Sequence, residues 1–499
     1  PNPFYPDSSP PVDVAGLTSG VASIDAGSRD TCAVTTTGGV KCWGSSEYGQ
    51  LGDGVVAQGV LNDSVFPRSV LAEGESAGGA ALTGVTQITA GGLHTCALMM
   101  DDTVKCWGNN SSGQLGDGDS QTVSPTPVTA TGVSGVNQID AGVGHTCAVL
   151  NNDTVKCWGD NGYGQLGDGT VTDRTTPVTV VAEGESVNGA ALSNVSQVST
   201  SFYHTCAVLI DGTAKCWGDN AEGQLGDGGS VPYSYTPVTV VAEGESANGA
   251  ALTTVYQVST GGATGSAHTC AVLNNGTAKC WGGNKNGELG NGNSTTTGYS
   301  TPVEVPGLTG IARLSTNSGA AYGSNCAVLD NGTAKCWGGN DSGILGDGTS
   351  GSDRLSPVTL VAEGESAGGT ALSGITQISM GAEHACAVLS DGSVKCWGPS
   401  FQGQLASAGN VEVIGCSIPG QDGVFTEADG ITEDMCLGVP VPGTTWGPVE
   451  EFQTDLGNIY TSPTQAYKAE PQPGFPATLD VTVTDDLGSS TESVTLTVG

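Results

Sequence analysis

The sequence predicts an all-β protein: a seven-bladed β-propeller followed by a smaller β module. Three observations carry that prediction. A cysteine pair with a constant ten-residue step recurs seven times. Gly accounts for 80 of 499 residues and aromatic residues for only 5%. Each recurring unit divides into four short, apolar-alternating runs separated by Gly, Asn and Asp turns, the pattern of antiparallel strands in a repeat architecture.

The units align on their first cysteines, Cys32, Cys96, Cys147, Cys206, Cys270, Cys326 and Cys386. Their second cysteines are Cys42, Cys106, Cys157, Cys216, Cys280, Cys336 and Cys396, and successive units start 51 to 64 residues apart. The first predicted strand is typified by VTQITAG (85–91) and the second by TCAVL (146–150). An Asn-Asn-Asp turn leads to the third, TVKCWG (154–159), and a long Gly-rich loop to the fourth, PVTVV (177–181). Four short strands per unit, seven times over, match a seven-bladed propeller. The seventh unit has no fourth strand after Gly398, whereas PVDVAGL (11–17) near the start matches the fourth-strand segment PVEVPGL (302–308). The beginning of the chain is therefore expected to complete the last blade and leave the ring without a free edge.

The strand HTCAVL (145–150), the pair Trp158-Gly159 and the loop GQLGDG (164–169), each recurring through the units, closely resemble the regulator of chromosome condensation repeat family. The resemblance covers residues 11–405 and implies a seven-bladed propeller. The family's nuclear member binds chromatin and promotes nucleotide exchange on a small GTPase. That activity is not carried over, because this chain is acidic, its cysteines are paired, and no segment matches the exchange loop. Secreted bacterial relatives that act as binding scaffolds, including a β-lactamase-inhibiting propeller, are the better analogy, at the level of fold alone.

Net charge is −36, from 50 acidic and 14 basic residues, and seven of those basic residues are the Lys of the repeated motif. Such a surface repels a phosphate backbone, so nucleic acid is excluded as a partner. Sixteen cysteines, an even number, fourteen of them recurring at a regular ten-residue step, favour an oxidising compartment, extracellular or at the cell surface. No apolar run is long enough for a membrane span. Beginning at Pro1 without Met, the chain reads as a processed or partial form, and its Pro-rich first ten residues are expected to form an ordered tail.

His145, Cys147 and Cys157 place three potential zinc ligands on one hairpin. The repeats argue against metal: Asp30 and Ser324 stand at the His position of units one and six, yet both units keep their cysteine pair. A ligand set would lose its members together, so disulfides are expected, with the His as a core or inter-blade residue. Free thiols and metal remain the alternatives. The seven repeated Trp (Trp43, Trp107, Trp158, Trp217, Trp281, Trp337 and Trp397) read as packing between blades, with carbohydrate stacking as the competing role.

Four links carry an acidic insertion: LAEGESAGGAAL (71–82), VAEGESVNGAAL (181–192), VAEGESANGAAL (241–252) and VAEGESAGGTAL (361–372). In a propeller these links share a face with the turns between second and third strands. Glu73, Glu75, Glu183, Glu185, Glu243, Glu245, Glu363 and Glu365 are therefore the candidate interaction face. Asp101, Asp102, Asp153, Asp211, Asp330 and Asp391 would join them. A solvated acidic rim, a partner surface and calcium are the three readings, and no D-x-D-x-D-G loop supports calcium. The G-x-S-x-G matches at 74–78 and 364–368 lack the strand-to-helix elbow a nucleophile needs. Nine N-x-S/T sequons, such as Asn194 and Asn275, leave glycosylation open.

After residue 405 the repeat stops. Cys416 and Cys436 bracket a connector (406–445) and are expected to pair. The last run, ATLDVTVTDDLGSSTESVTLTV (477–498), resembles the final hairpin of PKD-like, immunoglobulin-type modules. That implies a β-sandwich over 446–499, whose missing strand could come from another chain by β-augmentation. The expected function is non-catalytic, without a cofactor: an extracellular or cell-surface interaction protein that assembles with copies of itself. The runner-up is a monomeric secreted binder of a protein or glycan.

Overall fold

The computed structural model describes residues 8–56, 63–76, 78–119, 121–317 and 322–407, together with four short strands in the C-terminal hundred residues. The chain divides into two compact units, Pro1–Ser407 and Ala408–Gly499.

The first unit is a seven-bladed propeller, each blade a four-stranded antiparallel sheet in sequential order. Blade 1 comprises Val21–Ala26, Asp30–Thr35, Val40–Gly44 and Ser64–Ser69; blade 2, Val85–Ala90, His94–Met99, Val104–Asn109 and Val123–Thr129. Blade 3 comprises Val136–Ala141, His145–Leu150, Val155–Gly159 and Arg174–Thr179; blade 4, Val195–Thr200, His204–Leu209, Ala214–Asp219 and Tyr233–Thr239. Blade 5 comprises Val255–Gly261, His268–Leu273, Ala278–Asn284 and Thr295–Glu304; blade 6, Ile311–Thr316, Ser324–Leu329, Ala334–Gly338 and Arg354–Thr359. Blade 7 takes Ile375–Met380, Ala385–Leu389, Val394–Gly398 and, as its outer strand, Ser8–Asp13 from the start of the chain.

Ring closure follows the expected route. Val12 pairs with Cys396 and Asp13 with Lys395, the register in which Val178 and Thr179 meet Cys157 and Lys156 in blade 3. The strand starts earlier than the sequence reading placed it, so Ser8–Pro10 belong to the blade and not to a separate tail. Residues 1–7 of that tail lie outside the described residues. Outer strands elsewhere also begin upstream of their Pro, as at Arg174 before Pro177. Proline has no N–H to offer, and an outer strand needs none on its solvent side.

The second strand of each blade is buried along nearly its whole length, because neighbouring blades cover both of its faces. That is why HTCAVL reads as a continuous run. In the adjoining hairpin, Cys147 and Cys157 stand directly opposite each other with Cα atoms 4.1 Å apart. This is a non-hydrogen-bonded pair, the position where side chains on antiparallel strands come closest. All seven ten-step pairs are disulfides: Cys32–Cys42, Cys96–Cys106, Cys147–Cys157, Cys206–Cys216, Cys270–Cys280, Cys326–Cys336 and Cys386–Cys396.

Each disulfide packs into an apolar cluster with the Trp of the following blade. Cys147 and Cys157 join Trp217 and Leu166, and Cys386 and Cys396 join Trp43 and Leu405 across the closure. The Trp nitrogen is satisfied too: Trp217 Nε1 donates to the Gln165 carbonyl at 2.9 Å, and Trp43 Nε1 to that of Gln404 at 2.9 Å. The loop G-Q-L-G bends over the indole. At Gly167, with φ +66°, an added Cβ would lie 2.8 Å from Trp217 Nε1, so only glycine fits.

In the second unit, Ala477–Val483 pairs antiparallel with Glu492–Val498, the expected hairpin, and Phe452–Gln453 pairs with Ile459–Tyr460. The Cys416–Cys436 pair and the rest of the expected immunoglobulin-like module lie outside the described residues.

Candidate functional site

The repeated histidines join blade to blade. His145 Nε2 lies 2.9 Å from Thr205 Oγ1, and that hydroxyl donates to the Gln165 carbonyl at 2.9 Å. The imidazole must therefore be the donor of the first bond. His94 meets Thr146, His204 meets Thr269 and His384 meets Thr31 in the same way. Burial pushes His94, His145, His204 and His384 down to about 3, so each is neutral at pH 7. At the exceptions, Asp30 is fully buried and its carboxyl is pushed well above its usual range, by burial first and the Asp25 charge second. Ser324 instead donates to the Gly339 carbonyl at 2.8 Å. Among the described residues no group of three His, Cys, Asp or Glu is placed to hold a metal ion.

Two further contacts stitch the inner strands, and the sequence reading missed both. Gln197 Nε2 donates to the Val258 carbonyl at 2.9 Å while its Oε1 accepts the Val258 N–H at 2.9 Å, so one amide completes both groups of a residue in the next blade. Gln87, Gln138, Gln257 and Gln377 do the same, while Ser23 and Arg313 replace Gln in blades 1 and 6. Two positions on, a side-chain oxygen accepts a backbone N–H of the next blade at every junction, from Asp25 to Ala90 round to Ser379 to Ala26. Asp140, one of these acceptors, is pushed up to about 7, chiefly by burial.

The candidate acidic face divides into two kinds of carboxylate. Glu183 pairs with Lys215 of the following blade at 2.5 Å and accepts from the Thr239 N–H at 3.1 Å and hydroxyl at 2.8 Å. Glu73 pairs likewise with Lys105, Glu243 with Lys279, and Glu363 with Lys395, which also holds Asp13 of the closing strand. These four act as struts onto the next blade. Where the insertion is absent, Lys156 donates to the Gly132 carbonyl. Glu75, Glu185 and Glu245 are exposed and Glu365 is half-buried, and none of them forms an ion pair among the described residues. Asp101, Asp211 and Asp391 cap Thr103, Thr213 and Ser393 within their own turns, which holds their carboxyls below the usual range. Asp102 accepts from Asn151 Nδ2, and Asp153 takes the left-handed conformation at φ 60°.

An aromatic cluster lies where blades 3 and 4 meet. Tyr163, in the Gly-rich loop of blade 3, lies against Tyr203 of blade 4 with ring centroids 4.2 Å apart and planes tilted by 34°. Phe202 meets Tyr203 edge-on at 4.1 Å. Tyr233 and Tyr235 stack at 5.0 Å, and Tyr235 packs against Gly164, beside Tyr163. Tyr163, Tyr233 and Tyr235 are exposed. Two carboxylates act on one of the rings: burial and the neighbouring Tyr163, Asp160 and Asp219 push the Tyr203 hydroxyl above its ordinary range.

Models of the regulator of chromosome condensation (RCC1) repeat match residues 21–50, 85–114, 136–165, 195–224, 260–288 and 375–404, and, in longer alignments, 37–98, 101–149 and 153–208. The chain belongs to the RCC1 repeat family. It is 30% identical over 294 residues to the ultraviolet-B receptor UVR8 of Arabidopsis thaliana, an alignment covering 58% of this chain and 60% of the receptor. The chain thus matches less than two thirds of that relative's length. Human WBSCR16 superposes with TM-score 0.58 at 21% identity, over 76% of this chain and 86% of that one. Prp20p of Saccharomyces cerevisiae gives TM-score 0.54 at 20% identity, over 76% and 82%. These likenesses establish the seven-bladed fold of this RCC1-repeat chain.

The aromatic cluster was absent from the sequence reading because that reading followed what the repeats share. A signal was present in what they do not share. Blade 4 reads SFYH where blades 2 and 3 read GGLH and GVGH, and its outer strand carries YSY.

Proposed function

We propose that this RCC1-repeat propeller works outside the cytosol, at the cell surface, as a non-catalytic scaffold that binds proteins, including copies of itself. The observation that carries the reading is the destination of the repeated side chains. Cys, Trp, His, Gln, Lys and the first Glu of each acidic link all turn into the blade or onto the next one. What remains for partners is a rigid ring with blade-specific loops, the usual place for binding residues on a braced scaffold. Seven disulfides support an oxidising compartment. Among relatives, the Prp20p structure is presented with that protein's binding to Gsp1p and histones, which favours protein recognition.

Self-association is supported by the final hairpin, Ala477–Val483 with Glu492–Val498, which resembles the last strands of PKD-like modules. A strand from a second chain can add to such a sheet by β-augmentation. Light scattering of the full chain over a concentration series tests this. Mass should rise with concentration, and a strict monomer at the highest soluble concentration would refute self-assembly. A second reading, a monomeric binder acting through one propeller face, is favoured by the exposed aromatic cluster at blades 3 and 4.

A further inference from the structure

We propose that the aromatic cluster between blades 3 and 4 is a binding site for cationic side chains, the lysines or arginines of a basic protein segment. The proposal rests on the second reading above and gives it a ligand class. Tyr163 and Tyr203 offer adjoining rings 4.2 Å apart, with Phe202 edge-on to the second and the Tyr233–Tyr235 stack beside the first. A cation over the face of such a ring is attracted by the ring quadrupole.

The charged groups that act on Tyr203 are acidic, and Arg174, the cation at the end of the Tyr163 loop, is held by Asp168. Asp160 and Asp219 flank Tyr203, and Glu222 stands in blade 4 at the position Tyr163 holds in blade 3. Burial raises the carboxyls of Asp160, Asp219 and Glu222, and like charge adds to the effect: Asp173 on Asp160 and Asp219 on Glu222. None of the ion pairs among the described residues uses these three carboxylates. A cation arriving at the rings would relieve that repulsion.

The same geometry argues against a neutral sugar. Asp160 accepts from Gln165 Nε2 at 2.9 Å and the Gly162 N–H at 3.1 Å, and Asp219 from Gln224 Nε2 at 2.7 Å and the Ala221 N–H at 3.3 Å. Each oxygen of both carboxylates therefore already accepts one bond from the protein, which leaves one lone pair apiece. Their negative field at the rings favours a cation over a neutral hydroxyl-bearing ligand. The net charge of −36 would also draw a basic segment toward the surface.

The test is calorimetric titration of the full chain with an octa-arginine peptide, an octa-glutamate peptide and a panel of neutral oligosaccharides. Octa-arginine should bind and octa-glutamate should not. Tyr163→Ala combined with Tyr203→Ala should weaken octa-arginine about tenfold, the loss of two cation–π contacts, while Tyr203→Phe, which keeps the ring, should retain affinity. The acidic links provide the control for diffuse charge. Glu75→Gln, Glu185→Gln, Glu245→Gln and Glu365→Gln together should weaken octa-arginine less than the tyrosine pair does, since salt screens exposed charges that do not touch the ligand. If that control weakens binding and the tyrosine variant does not, attraction is diffuse and the site is refuted. Neutral oligosaccharides binding in a tyrosine-dependent manner, or no octa-arginine binding, would equally overturn the ligand class. Self-assembly, read by light scattering, is independent of all these outcomes.

Discussion

Thr205→Val is the most informative single perturbation of the ring. Thr205 and His145 are fully buried, and the hydroxyl both accepts from His145 Nε2 at 2.9 Å and donates to the Gln165 carbonyl at 2.9 Å. Valine keeps the shape and removes the oxygen. The Gln165 carbonyl retains Trp217 Nε1 as a donor at 2.9 Å, so its loss is partial. The imidazole N–H is left buried without a partner, which costs about 1–3 kcal/mol. His145→Phe fills the ring space without a donor, and on that background Thr205→Val should cost less. The difference should be a coupling of at least about 0.5 kcal/mol, the range found for residues sharing one network. The assay is equilibrium unfolding in urea for wild type, both single variants and the double variant. Additive effects would show that His145 and Thr205 do not act together and would refute the inter-blade relay.

Further outcomes follow from the same geometry. Replacing Cys147 and Cys157 by Ala should cost about 2.7 kcal/mol, the chain entropy of a loop of about ten residues, and a chelator should leave the wild type's urea midpoint unchanged. The His145 pKa is depressed from 6.5 to about 3, so the unfolded chain takes up a proton first as pH falls. Its contribution is present above pH 6.5 and is lost toward pH 3 at about 1.4 kcal/mol per unit. Asp140, raised to about 7, gains stability over part of the same range, so the readout is the difference between wild type and His145→Gln across a pH series. Glu183→Gln should cost no more than about 1 kcal/mol, because the Glu183–Lys215 pair is partly exposed. Glu185→Gln should leave the midpoint unchanged.

The ring was largely legible in the sequence because its determinants are local and repeated. Cys147 and Cys157 mark a hairpin, GQLGDG marks the loop over Trp217, and PVDV at the start pointed to blade closure. The roles of His145, Thr205 and Gln197 were not legible in full, because each meets a residue 40 to 61 positions away in a neighbouring blade. Alternation along one strand carries no information about that partner. The acidic links stood out by their recurrence, yet only geometry separates Glu183, which holds Lys215, from the exposed Glu185. The aromatic cluster was hidden for the opposite reason: Tyr163 and Tyr203 belong to two different blades and depart from the repeat.

Disulfide mapping of the protein from its native source, alkylated before any reductant is added, bears most directly on a cystine-braced ring built for an oxidising compartment. The fourteen repeat cysteines should be recovered as seven linked pairs ten residues apart, with none alkylated. Recovery of Cys147, Cys157 and their counterparts as alkylated free thiols would contradict both the bracing role and the extracellular setting.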